Sequence, residues 1–248
     1  MHERPRHWHQ WLLIIAAFAA VAILLVMPLA LIFTEAFSQG WAMVQQNLTN
    51  PDMLGAIKLT LIVALITVPV NLLFGILLAW CVTRYEFRGR KLLSTLIDIP
   101  FAMSPVVAGL CYLVVYGAQS VVGNWFSGMG VQLMFALPGM VMVTVFVTCP
   151  YVARVLIPLM ESQGQHEEEA AIILGASGWQ AFWYVTLPKI RWALLYGVVL
   201  TNARAVGEFG AVSVVSGLIR GQTLTLPLLV QMWNCLLYTS DAADEWLR

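Results

Sequence analysis

The chain has 248 residues, is 60% hydrophobic and only 10% charged, and carries a formal net charge of zero. Soluble domains hold about 25% charged residues, so this composition excludes a soluble domain and points to an all-α integral membrane protein. It also speaks against nucleic-acid partners, because no basic stretch carries the interleaved aromatics that would meet phosphates and bases.

A spanning helix needs about 20 mostly apolar residues. Five segments meet that requirement: about 11–33, 57–82, 99–117, 132–153 and 192–215. Arg4 and Arg6 precede the first, as they would in a signal peptide. Its apolar stretch exceeds the usual length of about 7–15 residues and no small-x-small cleavage site follows, so it reads as a retained helix. Arg84, Arg88, Arg90 and Lys91 lie between the second and third segments, and Arg154, Lys189 and Arg191 between the fourth and fifth. Lys and Arg concentrate on the cytoplasmic side. These three regions therefore predict a cytoplasmic N-terminus and cytoplasmic loops at 84–91 and 154–191. The opposite side holds Lys58 and Arg220. The uncharged run 99–153 is too long for one helix, and turn signals between Gly117 and Gly130 divide it. Pro28, Pro69, Pro100, Pro105, Pro138 and Pro150 lie in or beside the spans and can kink them. Cys81, Cys111 and Cys149 sit in apolar surroundings with no metal-ligand spacing, which predicts buried free thiols. His7-x-His9 reads as a solvated pair rather than a metal site, so neither a metal nor a cofactor is expected.

The cytoplasmic stretch at about 161–188 has its own grammar. Glu167, Glu168 and Glu169 sit where a short helix would begin, and carboxylates favour that end of a helix dipole. Ala170 and Ala171 are strong helix formers without bulk. Gly175 is placed to end the helix in a left-handed conformation. Ser177 and Gln180 form a capping-box pair that starts a second helix, to which Trp179, Phe182 and Trp183 give an apolar side. Leu187-Pro188 then opens the next long helix, since proline fits a first turn.

The fifth span contains Arg204 and Glu208. Four residues apart, they share a helix face and can pair. Ionisable groups within a membrane face a protein interior or a water-filled path. The pair therefore has two readings, a station on a translocation route or a structural lock between helices.

Glu169-Ala170-Ala171, three residues, Gly175, nine residues and Val185-Thr186-Leu187-Pro188 resemble the EAA loop of ABC importer permeases, with Val185 in place of the family's Ile. In that family the loop docks on an ATPase subunit. The resemblance assigns ATPase coupling to Glu169, Ala170, Ala171, Gly175, Leu187 and Pro188. Arg204-Ala205-Val206-Gly207-Glu208-Phe209-Gly210-Ala211 resembles a segment shared by sulfate and molybdate permeases. Asp98-Ile99-Pro100-Phe101 and Ser104-Pro105-Val106-Val107-Ala108-Gly109-Leu110 are similar to CysW-type subunits of bacterial sulfate/thiosulfate importers. This implies a type I ABC importer permease bundle in the bacterial inner membrane. It also implies a CysT-like second permease, CysA-like ATPases and a periplasmic sulfate-binding protein. The permease itself would catalyse nothing, in keeping with the absence of a G-x-x-x-x-G-K-[ST] phosphate loop. Molybdate or tungstate is the alternative cargo. An ion-coupled secondary transporter is the rival class, but no repeat in two halves supports it. The resemblance fades after about Val230, where the family's sixth span is expected. Residues 1–231 therefore read as the transmembrane domain and 232–248 as a short, polar, non-native tail.

Overall fold

A computed structural model describes residues 8–38 and 40–246, and every described element is helical. Arg4, Arg6, His2 and His7 lie outside the described residues. The chain divides into two compact units, 1–54 and 55–248.

The first unit holds α1 (Trp8–Val21), a π-helical turn (Ala22–Val26), α2 (Met27–Ser38) and α3 (Trp41–Thr49). Together the first three make one apolar rod, Trp11–Ser38, long enough to cross a bilayer. The predicted first span is thus present and runs five residues further.

The second unit is built on α4 (Pro51–Arg84, which begins just before it), α5 (Arg90–Ala102), α6 (Pro105–Tyr116), α7 (Val121–Gly128) and α8 (Leu137–Gln163). The remainder comprises α9 (His166–Ile173), α10 (Gly178–Ala181), a second π-helical turn (Phe182–Thr186), α11 (Leu187–Val206), α12 (Gly210–Ser216) and α13 (Leu226–Trp246). The core is a junction of α4, α8 and α11. Val152 of α8 fills the space left by Gly75 of α4, where a Cβ would come within 2.5 Å of the valine, and it also packs on Gly197 of α11. Lipid offers helices no hydrophobic drive to associate, so such close approach at small residues supplies the contact energy. One turn away, Asn71 Nδ2 donates to Thr148 Oγ1 across the same junction. Thr144 and Thr148 donate back to the carbonyls of Met140 and Thr144, which spares their hydroxyls an unmet bond in an apolar interior.

Several expectations need correction. The third and fifth spans are not straight helices: α5 and α6 meet at 107°, and the rod Gly178–Val206 meets α12 at 50°. The first break falls at Met103 and Ser104, because the ring of Pro105 pushes Ser104 out of the helical region to ψ 136°. The loop expected at 117–130 contains α7, capped where Ser120 Oγ accepts from the Gly123 amide. The fourth span begins at Leu137 rather than about 132 and runs on to Gln163, so Arg154 lies inside a helix rather than in a loop. Cys81 and Cys149 are only partly covered and Cys111 is exposed. These thiols sit on outward helix faces that an apolar solvent tolerates. The last helix, α13, is apolar from Leu226 to Leu236, short of a span.

Candidate functional site

The segment at about 161–188 folds largely as its local sequence dictates. All three glutamates lie in the first turn of α9. Gly175 takes φ +93°. The Ala176 amide donates to the Ala171 carbonyl at 3.0 Å and the Gly175 amide to that of Ile172 at 2.9 Å, which completes a left-handed helix stop. Ser177 and Gln180 make both halves of the capping box. Phe182 is buried and packs 5.1 Å from the Trp80 ring, whereas Trp179 and Trp183 stay exposed. The apolar side is therefore split between core and surface. Leu187-Pro188 does not open a fresh helix. A helical rod runs unbroken from Gly178 to Val206, and the wide turn Phe182–Thr186 lies just before Pro188. Proline lacks an N–H and its ring crowds the carbonyl four residues back, and a π turn is a known way to absorb that defect.

The three acids have different fates. Glu168 is the anchor. Its Oε2 lies 2.7 Å from Arg84 Nε and its Oε1 accepts from Arg84 Nη2 at 2.8 Å and from Thr186 Oγ1 at 2.7 Å. The Nε contact is close but off the hydrogen-bond axis, so it acts by charge. The two side chains are only 8% and 15% exposed. Gln165 Nε2 adds a bond to the Thr83 carbonyl at 3.1 Å. Glu167 pairs with Lys189 at 2.5 Å. Glu169 points to solvent and lies 4.0 Å from His166 Nδ1. A cavity of about 190 Å³ beneath α9 is lined by Trp80, Arg84, Glu168, Phe182 and Thr186. Above it, Ile172, Ile173 and Leu174 stand exposed, Leu174 at 88%. Ala170 is exposed and Ala171 half-buried. The result is an apolar ridge held rigidly on a charged base.

Sequence reasoning missed Arg84 and Glu168 as a pair. The available signal was a cation at the last turn of a span and an excess acid beside Glu169, but 84 residues separate them.

At the other end of α11, Arg204 Nη1 lies 2.7 Å from Glu208 Oε2, and Glu208 is 1% exposed. The contact is an ion pair rather than an aligned hydrogen bond. The pair forms as expected, but not on one continuous helix. Helix α11 stops at Val206, and Glu208 lies in the break, where its Oε1 accepts from the Ala211 amide of α12 at 3.0 Å. Arg204 sits in the last turn of α11 and Glu208 at the start of α12, each at the helix end whose dipole favours its charge.

Residues 71–234 match the family described as binding-protein-dependent transport system inner membrane component. The sulfate transport system permease protein CysW of Escherichia coli K12 is 63% identical over 229 residues, covering 92% of this chain and 79% of that protein. The CysW of Synechocystis is 49% identical over 222 residues, covering 90% of this chain and 80% of that protein. A crystal structure of a bacterial alginate ABC transporter in complex with alginate pentasaccharide-bound periplasmic protein superimposes with a TM-score of 0.70. That match has 19% identity and covers 84% of this chain and 76% of that chain. The helical architecture is thus that of an ABC importer permease, a non-catalytic transport subunit. The chain belongs to the inner-membrane components of binding-protein-dependent transport systems.

Proposed function

We propose that this chain imports sulfate, and thiosulfate with it, as one of two permease subunits driven by a pair of ATPases and fed by a periplasmic sulfate-binding protein. The identity of 63% to a sulfate permease supports the choice of solute. Residues 1–231 act as the transmembrane domain. The N-terminus and α9 face the cytoplasm.

The coupling role rests on the exposed ridge Ile172–Leu174 above the pinned Glu168. In this reading Glu169, Ala170 and Ala171 meet the ATPase, Gly175 turns the loop toward it, and Leu187 and Pro188 join the loop to the membrane helix. Arg204 and Glu208 are a structural joint, because the carboxylate is spent on Arg204 and the Ala211 amide. Uptake of labelled sulfate by cells lacking their own sulfate permease, with thiosulfate and molybdate as competitors, tests the solute. Competition by molybdate alone would replace sulfate with molybdate as the cargo.

A Cβ at Gly175 would meet no atom within 4 Å, so a side chain there is opposed by backbone strain alone. That strain is about 1–2 kcal/mol. Gly175→Val should leave membrane insertion intact and reduce substrate-stimulated ATP hydrolysis about tenfold, since about 1.4 kcal/mol is a factor of ten. Glu169→Lys should do the same without loss of thermal stability, because the side chain is exposed. Full stimulation in both would remove the docking role.

For topology, a cysteine at Ser162 should resist an impermeant thiol reagent in intact cells, and one at Val121 should react. Both positions are exposed. Gly123 is unsuitable as a probe, since a Cβ there would collide with the Gly117 carbonyl. Labelling of Ser162→Cys from outside would invert the orientation.

A further inference from the structure

Among the arginines of the bundle helices, Arg84, Arg154 and Arg204 differ in what they leave unspent. Arg84 is folded onto Glu168 and is 8% exposed. Arg204 is paired with the buried Glu208. Arg154 is different. Its Nε donates to Asp98 Oδ1 at 2.9 Å, and its guanidinium carbon lies 4.3 Å from the centre of the Phe101 ring. Phe101 is itself braced edge-on by Tyr151 at 4.9 Å. Neither Nη group has a hydrogen-bond partner among the described residues, and the Arg154 and Asp98 side chains are 53% and 51% exposed.

Arg154 is 17 residues beyond Leu137 in α8, about 25 Å along the axis at about 1.5 Å per residue. The hydrocarbon layer is about 30 Å thick. If α8 enters the layer at Leu137, this half-exposed ion pair lies near the far face of the layer, where a charge reaches water or meets protein. The planar fork of a guanidinium matches two oxygens of an oxyanion. Asp98 and Phe101 hold the fork by its Nε and its face and leave both Nη groups without a hydrogen-bond partner among the described residues. The nearby carboxylate also offsets part of the attraction. A site on a conducting route needs that balance, since an anion that enters must also leave.

We propose that Arg154, oriented by Asp98 and Phe101, contacts the tetrahedral oxyanion on its route through this subunit, near the cytoplasmic mouth. The assignment rests on the oxyanion-import reading and on the orientation given above. It extends the route to a residue pair that the loop and the Arg204 segment do not include.

The test uses the complete importer in proteoliposomes, with its binding protein, ATP and labelled sulfate. Wild-type uptake is read first and tests the import reading by itself; a wild-type complex that carries no sulfate ends that reading and the assignment with it. With wild-type uptake present, Arg154→Lys keeps the charge but loses the fork. It is expected to lower uptake at least about tenfold, about 1.4 kcal/mol at the transition state, with an unchanged yield of assembled complex. The exchange Arg154→Asp with Asp98→Arg rebuilds the pair with its ends reversed. It should keep the wild-type complex yield and leave uptake low. Uptake by Arg154→Lys within about twofold of wild type, or recovery of uptake by the exchange, would overturn the proposal and make the pair a brace, the second permease being its natural cover.

Discussion

Replacing Glu168 by Ala is expected to lower the thermal stability of the assembled permease and to abolish coupling, although the Glu168 side chain is largely buried. The carboxylate holds Arg84 through two contacts and Thr186 through a third. Removing one member of a buried pair leaves the other charge unmet, at about 3–5 kcal/mol. Arg84→Ala should be comparably damaging, since it strands the acid at the base of α9. Glu168→Gln still accepts from Thr186 and Arg84 and should recover part of the loss. Replacing both by apolar residues of similar volume can be close to neutral for stability. That double variant therefore separates fold from function, and a stable but uncoupled complex is the expected result. The measurements are the melting temperature of the purified complex and ATP hydrolysis stimulated by loaded binding protein. A Glu168→Ala complex with wild-type values of both would show that the pin is dispensable.

The second large effect is expected at the broken helix. Glu208→Ala removes the partner of Arg204 and the acceptor of the Ala211 amide together. A loss of about 3 kcal/mol is expected, at the lower end of the range for breaking a buried pair, because Arg204 is 30% exposed and keeps some access to polar surroundings. Glu208→Gln keeps an acceptor for Ala211 and should cost less than Glu208→Ala. Arg204→Ala combined with Glu208→Ala should cost less than the sum of the two, by a coupling of about 0.5–3 kcal/mol. Complex yield and melting temperature across the four-member cycle measure it. Strict additivity would mean that the 2.7 Å contact contributes nothing to stability.

The parts of this fold that were legible in the sequence are those set by neighbours along the chain. The turn at Gly175 needs only a residue free to adopt φ +93°, and the Ser177/Gln180 box needs only the right spacing of two intervening residues. The presence of the first, second and fourth spans, though not their exact lengths, follows from apolar composition alone. What was not legible is set across the bundle. Arg154 marks no helix end, because Asp98, 56 residues earlier, accepts its Nε and lets α8 continue. Arg84 reads in the sequence as a topology signal, and the structure shows that it also clamps the loop through Glu168. Among the three acids, only tertiary structure decides which is buried. The helix break at Glu208 was hidden by a spacing of four that suits a continuous helix equally well; Gly207 and Gly210 beside it were the local hint. The severity of the bend before Pro105 was also beyond local reasoning, since a residue before proline need only leave the helix, not turn the chain by 107°.

The wide turn Phe182–Thr186 has a consequence for the indexing of the rod that carries it. A π turn holds one more residue than the α turn it replaces, and each residue of an α-helix advances about 100° around its axis. Ala181, Phe182 and Thr186 are buried at or within the turn, and Ile190, Gly197, Thr201 and Ala205 on the membrane side of it. The wide turn takes up its extra residue without rotating these two sets against each other. A regular α-helix through all the same residues would turn one set about 100° away from the other. Either α9 would lose its seat against Phe182, or Gly197 would turn away from Val152. Deleting one residue from 182–186 would instead leave a regular helix in nearly the same register. A one-residue deletion there should be better tolerated than a one-residue insertion in the α-helix that follows.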